Sequence, residues 1–206
     1  SGEGGGVLIN QAPHQIDLMQ WICGMPVKVY ADLKYGSHRN ISVEDDASVH
    51  LNFPNGATGT FIICTHDVLG TNHFEIFGDK GKIIIENSSK LKAKILHESE
   101  VDMNKRMSFE EAKKIINGER LSDIYELITY DEYNRFGEQH QIILKDFCDA
   151  VLKGSPLFVH GSEGIKSLTM SNAMHLSSWL GREVEIPFDE DLFYNELRKK
   201  INEEKQ

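Results

Sequence analysis

The chain has 206 residues, of which 40% are hydrophobic and 26% charged, a composition that is ordinary for a globular protein with its own core. Its 22 Lys and Arg residues are outnumbered by 32 Asp and Glu residues, and the net charge of −10 argues against nucleic acid as a partner, since nucleic-acid-binding surfaces are basic. No apolar run approaches the roughly 18 to 20 residues of a membrane span, so we expect no membrane partner.

The chain contains three cysteines, Cys23, Cys64 and Cys148. Their number is odd, they are widely spaced, and each lies in an apolar context. Disulfides in secreted proteins normally pair an even number of cysteines. We therefore predict reduced thiols in the core of a cytoplasmic protein.

The opening stretch, SGEGGGVLINQAPHQID, resembles a phosphate-binding loop at first sight. A dinucleotide fingerprint needs G-x-G-x-x-G directly after a buried strand. Here Gly2 and Gly4 have no strand before them, and Val7 stands where the third glycine belongs. We therefore predict that this segment is not a phosphate cradle, and that the sequence begins partway through a longer protein.

The first predicted element is a helix from Asn10 to Cys23, because its apolar residues recur at helical spacing and Gly24 with Pro26 supplies a stop. After it come short segments rich in β-branched and aromatic residues, separated by turn signals such as Pro-Asn-Gly. Tight turns between successive strands predict an antiparallel meander. The predicted strands lie in 27–36, 47–56, 57–66, 72–81, 82–87 and 91–99.

Helical patterns return at Ser108, which opens a Ser-x-x-Glu capping box in a helix that closes at Gly118. Further predicted elements are a strand near 125–130, helices over 138–154 and 161–181, a short strand within 182–188 and a charged helix from 191. Helix, strands and then helices indicate an α+β fold. We predict one domain over 1–206, with a mainly antiparallel open-faced sheet covered by helices on one face and the other face left to solvent or a partner.

The first predicted helix carries polar residues that suit acid–base chemistry. Asn10, His14 and Asp17 are spaced i, i+4 and i+7, so they share one side of that helix. A neutral His can take or give a proton near pH 7, and a carboxylate one turn away can orient it. The alternatives are that Asn10 is a helix N-cap, that His14 is a hydrogen-bonded structural residue, and that Asp17 is a solvated surface residue.

A second polar group lies between the third and fourth predicted strands, where Thr65 and His66 end one strand and His73 begins the next. These side chains could reach the mouth of a pocket, although a polar turn is the stronger alternative. His66, His73 and Asp67 are metal-ligand types, but no H-x-x-x-H or C-x-x-C spacing supports a site, so we predict no metal. His175, on an apolar helix, is predicted to be a packed core residue.

The stretch GGGVLINQAPHQIDLMQWICG closely resembles the start of the C-terminal domain in the glucose-fructose oxidoreductase / inositol dehydrogenase / MocA family. The family pattern is G-G-G-x-L-x-[DN]-x-x-x-H-x-x-D-x-x-x-x-x-x-G, and every fixed position is met. The resemblance continues through three further stretches, EDDASVHLNFPNGATGTF, FEIFGDKGKIIIE and DFCDAVLKGSPLFVHGSEGIKSLTMSNAMHLSSWLGREVEIP. It therefore covers nearly the whole chain.

The resemblance implies a fold like the C-terminal domain of dihydrodipicolinate reductase, whose open sheet forms homodimer or homotetramer contacts. It also implies that NAD or NADP is bound mainly by an N-terminal Rossmann domain outside this sequence. His14 would be the acid–base group, Asp17 would support it, and Asn10 stands where family members often have Asp. The implied substrate contacts are Asn10, Gln11, Thr65, His66 and His73.

The implied function is that of a substrate-binding and catalytic-His domain in an NAD(P)-dependent oxidoreductase acting on a CH–OH group of a sugar, sugar derivative or cyclitol. The Glu-Lys-Pro segment that supplies the family's active-site lysine is not in this sequence, so we expect the chain to be inactive without its Rossmann domain. One alternative is a cofactor-free binding or oligomerisation module with the same fold. Another is a metal hydrolase.

Overall fold

The computed structural model describes residues 5–70, 72–131 and 137–204. The helices are α1 (Val7–Asn10), α2 (Pro13–Cys23), α3 (Glu100–Arg106), α4 (Phe109–Ile116), α5 (Glu138–Lys153), α6 (Gly164–Leu180) and α7 (Glu190–Glu204). The strands are β1 (Lys28–Tyr35), β2 (Glu44–Asn52), β3 (Thr58–Cys64), β4 (His73–Gly78), β5 (Gly81–Glu86), β6 (Lys90–Leu96), β7 (Tyr125–Asp131) and β8 (Val184–Glu185). The α+β class predicted from the sequence is confirmed.

The strand series forms two sheets, whereas the sequence pattern predicted one. The chain divides into unit 1, which comprises Ser1–Val68 and Pro156–Gln206, and unit 2, which comprises Leu69–Ser155. The sheet of unit 1 has the order β3-β2-β1-β8, and that of unit 2 has the order β4-β5-β6-β7, with antiparallel pairing throughout. The expected meander is therefore present but is interrupted after β3. A single domain over 1–206 stays a prediction.

The sheet of unit 1 buries one face and exposes the other, because the side chains of a strand alternate between its two faces. On the covered face, α6 packs against β1 and against α2. The opposite face carries exposed residues such as Tyr30, His50 and Ile62. This is the predicted arrangement of helices on one face of an open sheet. The buried strand residues are Val29, Ala31, Leu33, Ala47, Val49 and Leu51.

Helix α6 also completes the edge of β1. Strand β8 pairs with Lys28 and Val29 and extends no further along β1. Beyond it, the hydroxyl of Ser177 accepts a hydrogen bond from Ala31 N at 3.0 Å. The hydroxyl of Ser178 accepts one from Leu33 N at 3.3 Å. Two helix side chains thus take the place of a longer neighbouring strand.

Unit 2 contains the other sheet and helices α3 to α5. The capping box predicted at the start of α4 is confirmed, because the Ser108 hydroxyl accepts from Glu111 N and the Glu111 carboxylate accepts from Ser108 N. Helix α5 has the predicted bounds, yet its apolar stripe is exposed: Ile142 is 68% and Phe147 57% accessible. The sequence pattern did not predict α3, which is only seven residues long.

The cysteines are free thiols, but they are not all in the core. Cys23 and Cys148 are exposed and Cys64 is half-buried. Cys23 is the last residue of α2, and Cys148 lies in α5, where no residue is buried, so apolar sequence neighbours gave a wrong prediction of burial for both. None of the helices in the described part of the chain has the length and apolar character that crossing a bilayer demands.

Candidate functional site

The predicted helix from Asn10 to Cys23 is broken near its start. Helix α1 ends at Asn10, and the N–H groups of Gln11 and Ala12 both donate to Val7 O, at 3.1 and 2.9 Å. Pro13 has no N–H to continue that ladder, and it begins α2 instead, a position that proline favours. Asn10 is therefore not the N-cap of the helix that carries His14, and the prediction that both lie on one helix is wrong.

His14 and Asp17 lie on α2, and both are exposed. The Asp17 carboxylate accepts a hydrogen bond from Gln20 Nε2 at 3.0 Å. Within the described residues, no hydrogen bond or ion pair joins Asp17 to His14. The His14 imidazole is thus available to a ligand, and the Asp17 carboxylate, which binds Gln20 through Oδ1, makes no hydrogen bond with it in this structure.

The glycine-rich segment binds an internal carboxylate. Gly6 N donates to both Glu44 carboxylate oxygens at 3.1 Å, and Leu8 N donates to Oε1 at 3.0 Å. A Cβ on Gly6 would lie 2.1 Å from the Glu44 carbonyl oxygen, so this close approach requires glycine. The N–H groups that a phosphate would need are occupied by a negative charge. In the described part of the segment, from Gly5 onward, the N–H groups of Gly6 and Leu8 are therefore not available to the pyrophosphate of a dinucleotide.

Glu44 is also paired with a histidine from α6. Its Oε2 lies 3.3 Å from Nε2 of His175, whose Nδ1 donates to Ser171 O at 2.8 Å. Burial raises the pKa of Glu44, but the hydrogen bond and charge of His175, together with backbone N–H groups, outweigh it and hold the pKa below its ordinary value. The predicted burial of His175 is confirmed, and its acidic partner is new.

Two aromatic residues, Trp179 of α6 and Tyr35 of β1, lie beside this pair. The ring of Trp179 lies 5.5 Å from that of His175, and its Nε1 donates to Tyr35 OH at 2.9 Å. Burial raises the pKa of Tyr35 to about 12, although the hydrogen bonds to its hydroxyl act in the other direction. Tyr35 is consequently a neutral phenol near pH 7.

A cleft of about 380 Å³ lies beside the glycine-rich segment in unit 1. Asn10 and Gln11 line it from the end of α1, residues 40–43 from the β1–β2 loop, and Thr65 from the end of β3. Its volume lies in the range of small-molecule sites, roughly 300 to 1,000 Å³. Its amide and hydroxyl side chains can both donate and accept hydrogen bonds, while Val7, Ile41 and Val43 make part of the lining apolar, so the cleft suits a ligand with hydroxyl groups on an apolar frame.

Asp45 fixes the β1–β2 loop next to this cleft. Its buried carboxylate accepts hydrogen bonds from the N–H groups of Ser37, His38 and Arg39, at 3.1, 2.8 and 3.1 Å. Burial raises the pKa of Asp45, but these backbone donors dominate and lower it. Thr65 N in turn donates to Asp45 O at 2.9 Å. One residue thus anchors two walls of the cleft.

Three of the substrate contacts implied by the sequence, Asn10, Gln11 and Thr65, are brought together by this cleft. His66 does not line it: its ring stacks on His38 with centroids 3.6 Å apart, and its Nε2 lies 3.9 Å from Asp46 Oδ2. His73 belongs to unit 2, where its Nε2 lies 3.3 Å from Glu75 Oε2.

Residues 1–84 match a model of the GFO/IDH/MocA C-terminal domain. No curated protein matches the chain at a significant level. Solved structures do match. One is the WlbA dehydrogenase from Chromobacterium violaceum, solved with NADH and UDP-GlcNAcA, which is 25% identical to this chain. The match covers 90% of this chain and 47% of the dehydrogenase, with a TM-score of 0.61.

Two further structures share the fold at lower identity. The WlbA dehydrogenase from Bordetella pertussis, also with NADH and UDP-GlcNAcA, is 20% identical over 90% of this chain and 46% of its own, with a TM-score of 0.61. A levoglucosan dehydrogenase with NADH and L-sorbose is 19% identical over 90% of this chain and 51% of its own, with a TM-score of 0.67. The chain thus spans about half the length of these proteins. Residues 1–84 are thus similar to the GFO/IDH/MocA C-terminal domain, and the fold of the described chain is similar to that of about half of each of these dehydrogenases.

Proposed function

We propose that this chain is the substrate-binding and catalytic-His domain of an NAD(P)-dependent oxidoreductase that acts on a CH–OH group of a sugar, sugar derivative or cyclitol. The observation that carries the proposal is the family match over residues 1–84, which includes both His14 and the cleft lined by Asn10, Gln11 and Thr65. The matched structures hold UDP-GlcNAcA or L-sorbose, which are polyhydroxylated ligands.

The lining of the cleft supports this substrate class. Asn10 and Gln11 carry neutral amides, and Thr65 carries a hydroxyl, so each can pair with a substrate hydroxyl as donor or acceptor. None of the three can remove a proton near pH 7. These three residues would therefore bind and orient the substrate, and another residue would transfer the proton.

His14 is the proposed acid–base residue. Oxidation of a carbinol requires removal of the hydroxyl proton as the hydride leaves, and an imidazole near neutral pH is suited to take it. His14 is exposed on α2, in the segment that follows the cleft residue Gln11. Asp17 would orient the imidazole through a carboxylate that also accepts the hydrogen bond from Gln20.

NAD or NADP would accept the hydride, and a domain outside this chain would hold it. Within the described residues of the glycine-rich segment, Gly6 N and Leu8 N bind Glu44 and are not available to a phosphate. The chain on its own would then bind substrate without turnover. A homodimer or homotetramer through the open sheet face is proposed on the family resemblance, and a cytoplasmic location agrees with three free thiols.

The test uses the complete enzyme, with its dinucleotide domain, in steady-state kinetics on polyols and sugars. His14→Ala should lower kcat by about a hundredfold or more, as expected for loss of a positioned base, while the Kd for the nicotinamide cofactor changes little. The matched control is His140→Ala, which removes an exposed histidine from α5.

Near-normal turnover by His14→Ala across the pH range would contradict the acid–base role. A natural protein without a dinucleotide domain would contradict the enzyme reading and favour the cofactor-free module. That module would still bind sugars in the cleft, and calorimetry on the chain would detect this.

A further inference from the structure

A second group of ligating side chains lies on the open face of the unit 1 sheet, apart from the cleft lining. His38, Asp46 and His66 each offer one ligand atom, and these atoms all lie within 4.8 Å of one another. They come from the β1–β2 loop, the start of β2 and the segment after β3. No local spacing in the sequence could have revealed them, because three separate segments supply them.

The backbone holds both histidines in place. His38 N donates to the buried carboxylate of Asp45 at 2.8 Å, which fixes the loop residue next to β2. Thr65 N donates to Asp45 O at 2.9 Å, and this bond positions the residue before His66. Arg39 Nη2 also donates to Thr65 O at 2.8 Å, so it joins the two segments directly. The ligands therefore sit on a preformed frame.

The charges of the cluster favour a cation. Asp46 brings a negative charge, and its ion pair is the long 3.9 Å contact with His66. Lys34 lies opposite Asp46 in the sheet, but its ammonium pairs with Asp32 at 2.8 Å. The rings of His38 and His66 stack with their centroids 3.6 Å apart, so the two imidazoles already lie next to each other.

His66 supplies an independent observation. Its Nδ1 is buried and has no hydrogen-bond partner within the described residues. A buried polar atom of this kind is costly unless something compensates for it. The ring of His66 is therefore not held by a hydrogen bond at Nδ1, and it can turn toward a cation.

From this geometry we infer that His38, Asp46 and His66 form a binding site for a divalent transition-metal ion such as Zn²⁺. Two imidazoles and one carboxylate are ligands that Zn²⁺ favours, with bonds of about 2.0–2.2 Å and a tetrahedral arrangement that leaves one position to water. Ligands on one such ion lie about 3.3–3.5 Å apart, so the side chains close in by rotation. The exposed side chain of His38 has room to do so.

The ion would tie the β1–β2 loop to the end of β3. Residues 40–43 of that loop and Thr65 form two walls of the cleft, so metal binding would stabilise the shape of the proposed substrate site. This inference does not depend on the oxidoreductase proposal, because binding is measured on the chain with the metal alone.

The experiment is equilibrium dialysis and calorimetry of the full 206-residue chain with Zn²⁺ and with Co²⁺. The exposed thiols Cys23 and Cys148 are first replaced by Ser, so that they do not compete for the ion. We expect about one ion per chain and a rise in Tm that grows with metal concentration. His38→Gln, Asp46→Asn and His66→Gln should each weaken binding by about tenfold or more.

His50→Gln is the matched control, because His50 is exposed on β2 outside the cluster and its loss should leave binding unchanged. Circular dichroism verifies that each variant is folded. Absence of stoichiometric binding would overturn the inference. Binding that persists in a folded His38→Gln/His66→Gln double variant would overturn it equally.

Discussion

Glu44 Oε2 lies 3.3 Å from Nε2 of His175, and the same carboxylate accepts the N–H groups of Gly6 and Leu8. A strand residue thereby joins the glycine-rich segment to α6. Glu44 is 1% and His175 8% exposed, so the whole arrangement is removed from water. Its donors satisfy a charge that would otherwise be expensive to bury.

Glu44→Gln should lower the free energy of unfolding by about 2–4 kcal/mol near pH 7, because the amide turns donors toward the N–H groups of Gly6 and Leu8 and loses the charge facing His175. The pKa of Glu44 is lowered by folding, so its contribution is present above the unfolded pKa of about 4.3 and is lost as pH falls through the folded value. Denaturant unfolding between pH 7 and 3 measures this. If the difference in free energy of unfolding between the wild type and Glu44→Gln stayed constant over that pH range, the contribution of the Glu44 charge would be contradicted.

Gly6→Ala tests the close approach of the glycine-rich segment to β2. The new Cβ would meet the Glu44 carbonyl oxygen at 2.1 Å, so the backbone must shift, at about 1–3 kcal/mol or more. Gly164→Ala is the control, since a Cβ there meets open space at the first residue of α6 and should be neutral or stabilising by up to about 1 kcal/mol. Equal Tm values for the two variants would count against the close approach.

Ser177→Ala and Ser178→Ala test how α6 completes the edge of β1. The buried Ser177 hydroxyl accepts from Ala31 N and donates to Arg182 O at 2.7 Å, so its removal leaves two backbone groups unpaired and should cost about 1–3 kcal/mol. Ser178 is half-buried and accepts at 3.3 Å, so its replacement should cost less than about 1 kcal/mol. The reverse order in urea unfolding would refute this account of the edge.

Asn10→Asp tests the proposed role of Asn10 in the complete enzyme. A carboxylate accepts hydrogen bonds but cannot donate one. The variant should therefore still bind a substrate hydroxyl, which can donate, but should bind an ether oxygen, which can only accept, more weakly than the wild type does. We expect kcat/KM on the parent polyol to change by less than about tenfold, a milder effect than His14→Ala. When the contacted hydroxyl is replaced by a methyl ether, kcat/KM should fall by a larger factor in the variant than in the wild type. The ratio of kcat/KM for the polyol to kcat/KM for its ether measures this factor in each protein. The same factor in both proteins would show that Asn10 does not contact this hydroxyl.

Local signals in the sequence were sufficient for most of the elements. The strands β1 to β6, the capping box at Ser108 and the bounds of α5 follow from side-chain periodicity and turn residues, which act over a few positions. The split of the strand series after Cys64 depends on which strands pair at long range. The residue pattern on either side of the split is the same, so the sequence could not show it.

The candidate site was harder to predict. The break between α1 and α2 did have a local signal, because Pro13 favours the first position of a helix. Glu44 had none: acidic residues are almost always exposed, and the partners that permit its burial lie 36 and 38 residues away at Leu8 and Gly6. The cleft residues Asn10 and Gln11 were found through family resemblance, since their residue types alone are common in turns.

The edge bonds from α6 to β1 also bear on how the protein folds during synthesis. Ala31 and Ser177 are 146 residues apart in sequence, whereas unit 2 is one continuous stretch between the two halves of unit 1. During synthesis, unit 2 can therefore fold before α6 and α7 of unit 1 have been made. Contacts between residues so distant in sequence also slow folding. A chain stopped near Ser155 would leave Ala31 N unbonded and the carboxylate of Glu44 without His175. Within this chain, unit 1 thus becomes stable only after all of unit 2 has been synthesised.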